Sequence, residues 1–257
     1  MTNHLIKIIG GKIIAVVFIV CSLFSSSIFS QSDSSYALPL VSVHYGGNLP
    51  SGDLKDRFGA NFNTGVGYKH KFKKGWLLNV EWSFLFANKV KEDSLFKNIL
   101  NPEGYIIDND GKNGSYKVME RGHLVTLSFG KLIKTFQNEN SGILFTLGAS
   151  YLQHKIRIHN NSNNIPQINY AYKFGYDHLT NGFGPNIFLG YLYTSSNNYV
   201  NFFGGFDATI AYTKNRRYNF DTQSVNNSLR TDILYGFKFG IILPIYSKRV
   251  DGKYFYN

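Results

Sequence analysis

Six charged residues stand in an otherwise apolar and aromatic alternation: Lys69, Glu81, Asp207, Arg230, Asp232 and Lys238, surrounded by Gly, Ser, Thr and Asn. Such groups have three kinds of chemistry open to them: acid–base catalysis, passage of protons or ions, and mutual neutralisation. The stretch GVGYKHKFKKGWLLNVEWSFLF, Gly65 to Phe86, poses the choice most sharply, because Glu81 sits where every second residue is apolar. A carboxylate buried without a partner costs several kcal/mol or shifts its pKa until it is neutral. Opposite charges on one buried face are therefore expected to pair.

The other chemistry-bearing residues make poorer constellations. His154 and His159 in HKIRIH are five apart, which on a strand puts them on opposite faces and disfavours a shared metal. Glu120, His123 and Ser128 supply an acid, a base and a hydroxyl but no tight nucleophile–base spacing. Asp108-Asn109-Asp110-Gly111 lacks the further ligands and closing glutamate of a calcium loop and reads as a plain turn. No catalytic residue, metal site or cofactor is expected.

The first thirty residues set the compartment. Lys7 and Lys12 precede an uncharged apolar run, Ile13 to Phe24, that gives way to small and polar residues; this is the pattern of a secretory signal peptide. Cleavage is expected between Ser30 and Gln31, leaving residues 31–257 as one domain. The sole cysteine, Cys21, leaves with the leader, so the mature chain has no disulfide framework and no thiolate ligand. The net charge is +11, and +9 once Lys7 and Lys12 are removed, an excess that points to an anionic neighbour.

The elements that must position the charged set are strands. Apolar alternation of period two recurs along nearly the whole mature chain, and the helical period is scarce. Eight strands are predicted: Leu40 to Gly46, the two arms of the Gly65–Phe86 hairpin, Tyr116 to Leu132, Gly142 to Ile158, Gly182 to Thr194, a seventh from Val200 through Tyr212, and Leu229 to Tyr246. Their connections alternate in length. Those after the second, fourth and sixth strands are short (Lys73 to Gly75, Gln137 to Ser141, Ser195 to Asn198), and the others are long and polar. A transmembrane antiparallel up-and-down barrel has this pattern, with short periplasmic turns and long extracellular loops. Aromatic content of 16% suits a sheet that faces lipid.

In a barrel the two faces exchange meaning: apolar alternates face lipid and polar ones the lumen. Tyr68, Trp76, Trp82, Phe84, Tyr191, Tyr193, Tyr235, Phe237 and Phe239 are then lipid-interface aromatics, and the six charged residues form a polar network inside. A three-residue turn at Lys73–Gly75, with glycine in the left-handed position, pairs Phe72 with Trp76, Tyr68 with Val80 and Gly67 with Glu81, and brings Lys69 diagonally within reach of Glu81. An eight-stranded interior is just wide enough to be filled by side chains, so structural filling is the first reading and a proton or ion pathway the alternative. In the outer segments, VKEDSLFKNIL suggests a short helix and GYIIDNDGKNGSY a hairpin extension. Lys69, Lys71, Lys73, Lys74, Lys131, Lys134, Lys248, Arg249 and Lys253 read as a basic rim at the short-turn end. Arg216 and Arg217 stand in outer loops. Both sets are expected to meet anionic lipid headgroups, including lipopolysaccharide, or an acidic partner; no nucleic acid is expected.

SVHYGGNLPSGD, WLLNVEWSFLF and the closing YGFKFGIILPIYSKRVDGKYFYN together resemble the small eight-stranded outer-membrane barrels of the OmpA and OmpX kind, and within them the PorT-like outer-membrane β-barrel proteins. The resemblance implies insertion into the cell outer membrane by the barrel-assembly machinery and a non-enzymatic role. That role would be surface recognition through the loops, or service as an accessory subunit of an outer-membrane secretion or assembly complex. The alternatives are a narrow pore or small-solute transporter and, behind it, a barrel-embedded lipid enzyme.

Overall fold

The structure, a computed structural model, describes residues 38–72, 74–92, 94–135, 141–160, 164–195 and 201–245. The expected leader with its Ser30–Gln31 junction, Lys73, Val200 and the segment from Tyr246 onward lie outside the described residues.

Alternating apolar and polar residues make extended chain the conformation that separates the two kinds onto two faces. The wall strands are β1 (Leu38–Gly52), β2 (Asn61–Lys71), β3 (Trp76–Ala87), β4 (Tyr116–Lys134), β5 (Gly142–Asn160), β6 (Thr180–Thr194), β7 (Asn201–Asn215) and β10 (Arg230–Pro244). They close into an antiparallel barrel in which each strand pairs with its sequence neighbour and β1 pairs with β10. The expected strands match these within a few residues, except that β1 is longer at its outer end, reaching Gly52. A two-residue ribbon, β8 (Tyr218–Asn219) with β9 (Ser224–Val225), stands in the last long loop.

The first hairpin follows the expected register. Phe72 donates its amide to the Trp76 carbonyl at 2.8 Å, Tyr68 faces Val80, and Gly67 faces Glu81. Gly75 sits at φ +77°, a left-handed conformation that costs a non-glycine residue about 1–2 kcal/mol.

The long loops fold back over one end of the barrel. The first contributes a single helical turn, α1 (Leu54–Arg57), which the sequence reading did not include. Of VKEDSLFKNIL, expected as a helix, Ser94 to Ile99 form consecutive turns instead. Its apolar residues explain why: Leu95 and Phe96 are drawn into a cluster with Leu54, Phe58, Ile106, Ile165, Ile168 and Tyr176, and that packing outweighs weak local propensity. GYIIDNDGKNGSY reduces to one bridge, Ile107 with Asn113, closed by Asp108, whose Oδ1 accepts the amides of Asp110 and Lys112 at 3.0 and 2.8 Å.

The interior is stratified. At the short-turn end Leu40, Leu77, Leu132, Leu144, Phe188, Leu192, Phe203 and Ile242 make an apolar floor. The loop cluster makes an apolar lid at the other end. Polar and charged side chains fill the space between.

Candidate functional site: the charged interior and its mouth

Two groups of charges occupy the lumen. The inner one lies directly on the apolar floor, and β2, β3, β7 and β10 supply its members from their inward faces. Glu81 is the centre. Its Oε1 lies 2.5 Å from Lys238 Nζ and its Oε2 3.4 Å from Lys69 Nζ. Lys238 also reaches Asp207 Oδ1 at 3.2 Å, and Lys69 donates to Asn79 Oδ1 at 2.7 Å. Two cations thus meet two carboxylates. Asn186 donates to Asp207 and Thr209 at 3.3 and 2.9 Å, and His44 Nε2 stands 2.9 Å from Ser83 Oγ. The ammonium groups rest on rings of the floor, Lys69 Nζ 4.6 Å from the centroid of Phe203 and Lys238 Nζ 5.4 Å from that of Phe188, a cation–π arrangement favoured when water is excluded.

Room for this layer comes from small residues. Gly190 faces Gly205 across β6 and β7, and a Cβ on Gly190 would fall 2.3 Å from the Gly204 carbonyl oxygen and 2.7 Å from the Phe188 ring. The space left among the side chains is about 10 Å³, on the order of a single water.

The second group lies toward the loops. Asp232, on β10, accepts from Thr213 at 2.5 Å and stands 2.9 Å from His154 Nε2, with Arg230 Nε 3.7 Å away. Asn61 donates to both carboxyl oxygens of Glu120 at 3.1 and 3.2 Å. Above them Arg57 of α1 lies 3.0 Å from Glu92, His178 lies 3.2 Å from the same carboxylate, and Arg57 donates to Thr180 at 2.9 Å. Burial disfavours the charge on Glu92, but His178 and Arg57 reverse that and hold its pKa below the usual carboxylate value. Burial lowers the pKa of Arg57, an effect that Glu92 opposes. Arg57, Glu92 and His178 line a polar mouth cavity of about 610 Å³ together with Lys97, Asn215, Asp221 and Arg230.

The six charged residues read from the sequence therefore fall into two places. Lys69, Glu81, Asp207 and Lys238 converge. Asp232 belongs to the second group, and Arg230 bonds to the Asp53 carbonyl at 2.8 Å near the mouth. Of the residues read as a basic rim, Lys69 lies in the inner layer, and Lys71, the last residue of β2 at the short-turn end, is buried on the inward face and does not project outward. Their parity along the strand decides this, since they share a face with Asn61 and Asn63. The polar network read from the sequence did not name His44, Asn79, Asn186 or Glu120, which the same parity points inward. It also left out Arg57, Glu92 and His178, which reach the lumen from loops and carry no periodic signal.

The remaining candidates separate. His154 is buried while His159 is exposed, as their spacing requires. On β4, Glu120 and Ser128 point inward and His123 outward, stacked on Trp82 at a centroid distance of 5.8 Å. His123 and Ser128 thus cannot act as a base and nucleophile pair.

The outer surface inverts the ordinary arrangement. Val43, Val66, Leu127, Leu147, Phe237 and Ile241 are each at least half exposed, at 52%, 50%, 55%, 54%, 71% and 64%, while lysine and glutamate are buried. Only a solvent more apolar than the lumen stabilises that exchange, and a closed ring leaves no unpaired edge for lipid to desolvate. The chain is an outer-membrane-type β-barrel. Tyr68, Trp76, Trp82, Tyr191, Tyr193, Tyr235, Phe237 and Phe239 face outward and exposed, and Phe84 outward but half-buried. Trp76 stacks on Phe129 at 4.9 Å, with Lys131 Nζ 5.5 Å from its ring.

Comparison with solved structures returns barrels of the same class. The barrel is similar to the attachment invasion locus protein Ail of Yersinia pestis, with 13% identity over 81% of this chain and 99% of Ail and a TM-score of 0.37. It is similar to Neisserial surface protein A, with 13% identity over 79% of this chain and 97% of that one and a TM-score of 0.38. A major outer membrane protein from Thermus thermophilus aligns at 11% identity over 80% and 99% of the two chains, with a TM-score of 0.42. No protein-family model and no curated protein matches the chain. The fold assignment stands on the closed ring and its inverted surface.

Proposed function

We propose that the barrel is a non-enzymatic outer-membrane protein that works through its loop end, as a surface for recognition or as an accessory subunit of a larger outer-membrane assembly. The observation that carries this reading is the contrast between the two ends. The inner layer of the lumen is filled by paired charges over an apolar floor and retains about 10 Å³. The loops, in contrast, pack with inward wall residues such as Leu85, Leu124, Leu152 and Leu234 into one apolar cluster and hold open cavities. One of about 600 Å³ is lined by Ile99, Pro166, Tyr172, Tyr176, Tyr218 and Phe220. Loops anchored by apolar packing against the barrel wall present a preorganised surface, which reduces the entropy cost of binding.

Two measurements test this. In planar bilayers the purified barrel should show no steady ion conductance. A sustained conductance abolished by Glu81→Gln would replace this reading with the pore. Mild detergent extraction of the tagged protein should bring a partner with it, lost on replacing the Tyr170–Gly175 turn; recovery of an unaccompanied protein would remove the subunit version.

A further inference from the structure

We propose that the outward face of the β4–β5 hairpin, at its loop end, is a docking site for the phosphate-bearing headgroup of a membrane lipid. The inference rests on the outer face of the barrel being lipid-exposed and goes beyond it by assigning a site and a ligand class. β4 and β5, at 19 residues each, are the longest wall strands. Going up their shared outer face, the cross-strand pairs are Leu127 with Ala149, Val125 with Tyr151, His123 with Gln153, Arg121 with Lys155, Met119 with Arg157 and Lys117 with His159. The surface changes from apolar to cationic within two pairs, as a passage from acyl chain to headgroup requires.

The cations are placed at a cost to the free protein. Arg121 faces Lys155 directly, and like charges on facing strand positions repel. The groove around them, about 400 Å³, is lined by Arg121, Lys155, Arg157 and Lys173 against the single carboxylate of Asp177. That carboxylate is already engaged by Arg217 and by the Leu179 amide. Arg121 is fixed by its own backbone contacts, NH1 donating to the Glu120 and Ala87 carbonyls at 2.6 and 3.4 Å. A phosphate offers several acceptor oxygens to such a cluster and relieves the repulsion. Phe84 and Phe174, also lining the groove, give it apolar sides that suit a lipid.

A uniformly solvated rim would be basic all round, and this one is not. At the loop end of the opposite wall, where β1 pairs with β10, the outward pairs are Leu49 with Tyr235 and Ser51 with Ile233. The cationic pairs therefore do not continue around the rim to the β1–β10 wall.

The test is native mass spectrometry of the full barrel released from nanodiscs of zwitterionic phospholipid doped with bisphosphorylated lipid A or with its dephosphorylated form. The wild type should retain the phosphorylated lipid about tenfold more than the dephosphorylated one, and Lys155→Gln with Arg157→Gln should remove most of that preference. The charge-retaining pair Lys155→Arg with Arg157→Lys should restore it, and Lys112→Gln, at the tip of the β3–β4 loop, should leave it unchanged. Folding of each variant is checked by heat-dependent gel mobility. Equal retention of both lipids by the wild type, undiminished retention by the folded double Gln variant, or complete displacement by millimolar inorganic phosphate would each overturn the proposal. A wild-type chain that failed to enter nanodiscs would instead overturn the lipid-exposed reading on which it rests.

Discussion

The inner and outer charged groups of the lumen use the same residue types to opposite ends. Around Glu81, every cation has a carboxylate and the ammonium groups lie on aromatic rings, with the surrounding side chains leaving about one water's worth of space. Around Glu92, the partners come from loops and the group opens into a cavity of about 610 Å³. Charges held by strand residues on all sides behave as filling, whereas charges held by loops at a mouth remain addressable from solvent. The contrast shows why a count of buried ion pairs says little about function until the elements that supply them are known.

The contrast can be broken first at the inner layer. Glu81→Ala leaves Lys69 and Lys238 with Asp207 alone, and removing one partner of a buried ionic group typically costs about 3–5 kcal/mol. Urea unfolding in micelles should show a loss of that size. A double-mutant cycle sharpens the comparison: Glu81→Gln with Lys238→Met should couple by about 2–3 kcal/mol, and Glu92→Gln with Arg57→Met by about 1 kcal/mol or less. Equal coupling in the two cycles would erase the distinction between filling and mouth.

The smallest effect concerns pH. Glu92 has a folded pKa below its unfolded one, so its contribution is present above the unfolded carboxylate pKa and is lost as pH falls through the folded value. Unfolding free energy of the wild type should therefore decline on acidification below the ordinary carboxylate range. Glu92→Gln, costing about 1 kcal/mol near neutrality, should flatten part of that decline. An identical acid slope in the variant would remove Glu92 from the account.

Much of the wall was legible because a strand's parity carries over from one residue to the next. The Gly75 turn fixed the register of β2 with β3, and with it the approach of Lys69 to Glu81. The same parity assigns Lys71 to the lumen, where a nearby cluster of basic residues suggested a rim. The sequence could not show that Lys238, 157 positions away, meets Glu81. That contact depends on how far the strands stagger on closing, which no local pattern encodes. Arg57, Glu92 and His178 were illegible for another reason: loop backbone has no period, and their meeting follows from the packing of Phe58, Phe96 and Tyr176 beside them.

The seam between β1 and β10 carries a kinetic consequence. Every other ladder joins neighbours in sequence, but this one matches Leu40 with Pro244 and runs on to Gly52 with Asp232. Such pairing bears the largest loop-closure entropy in the molecule, so it is the last zipper to shut. Until it does, β1 and β10 are bare edges in a medium that offers their amides nothing. Asp53, whose carboxylate takes the Thr231 amide at 2.7 Å and whose own amide meets the Thr231 carbonyl at 2.9 Å, then acts as the catch at the end of the zipper, and slow closure is the step at which assembly would need help.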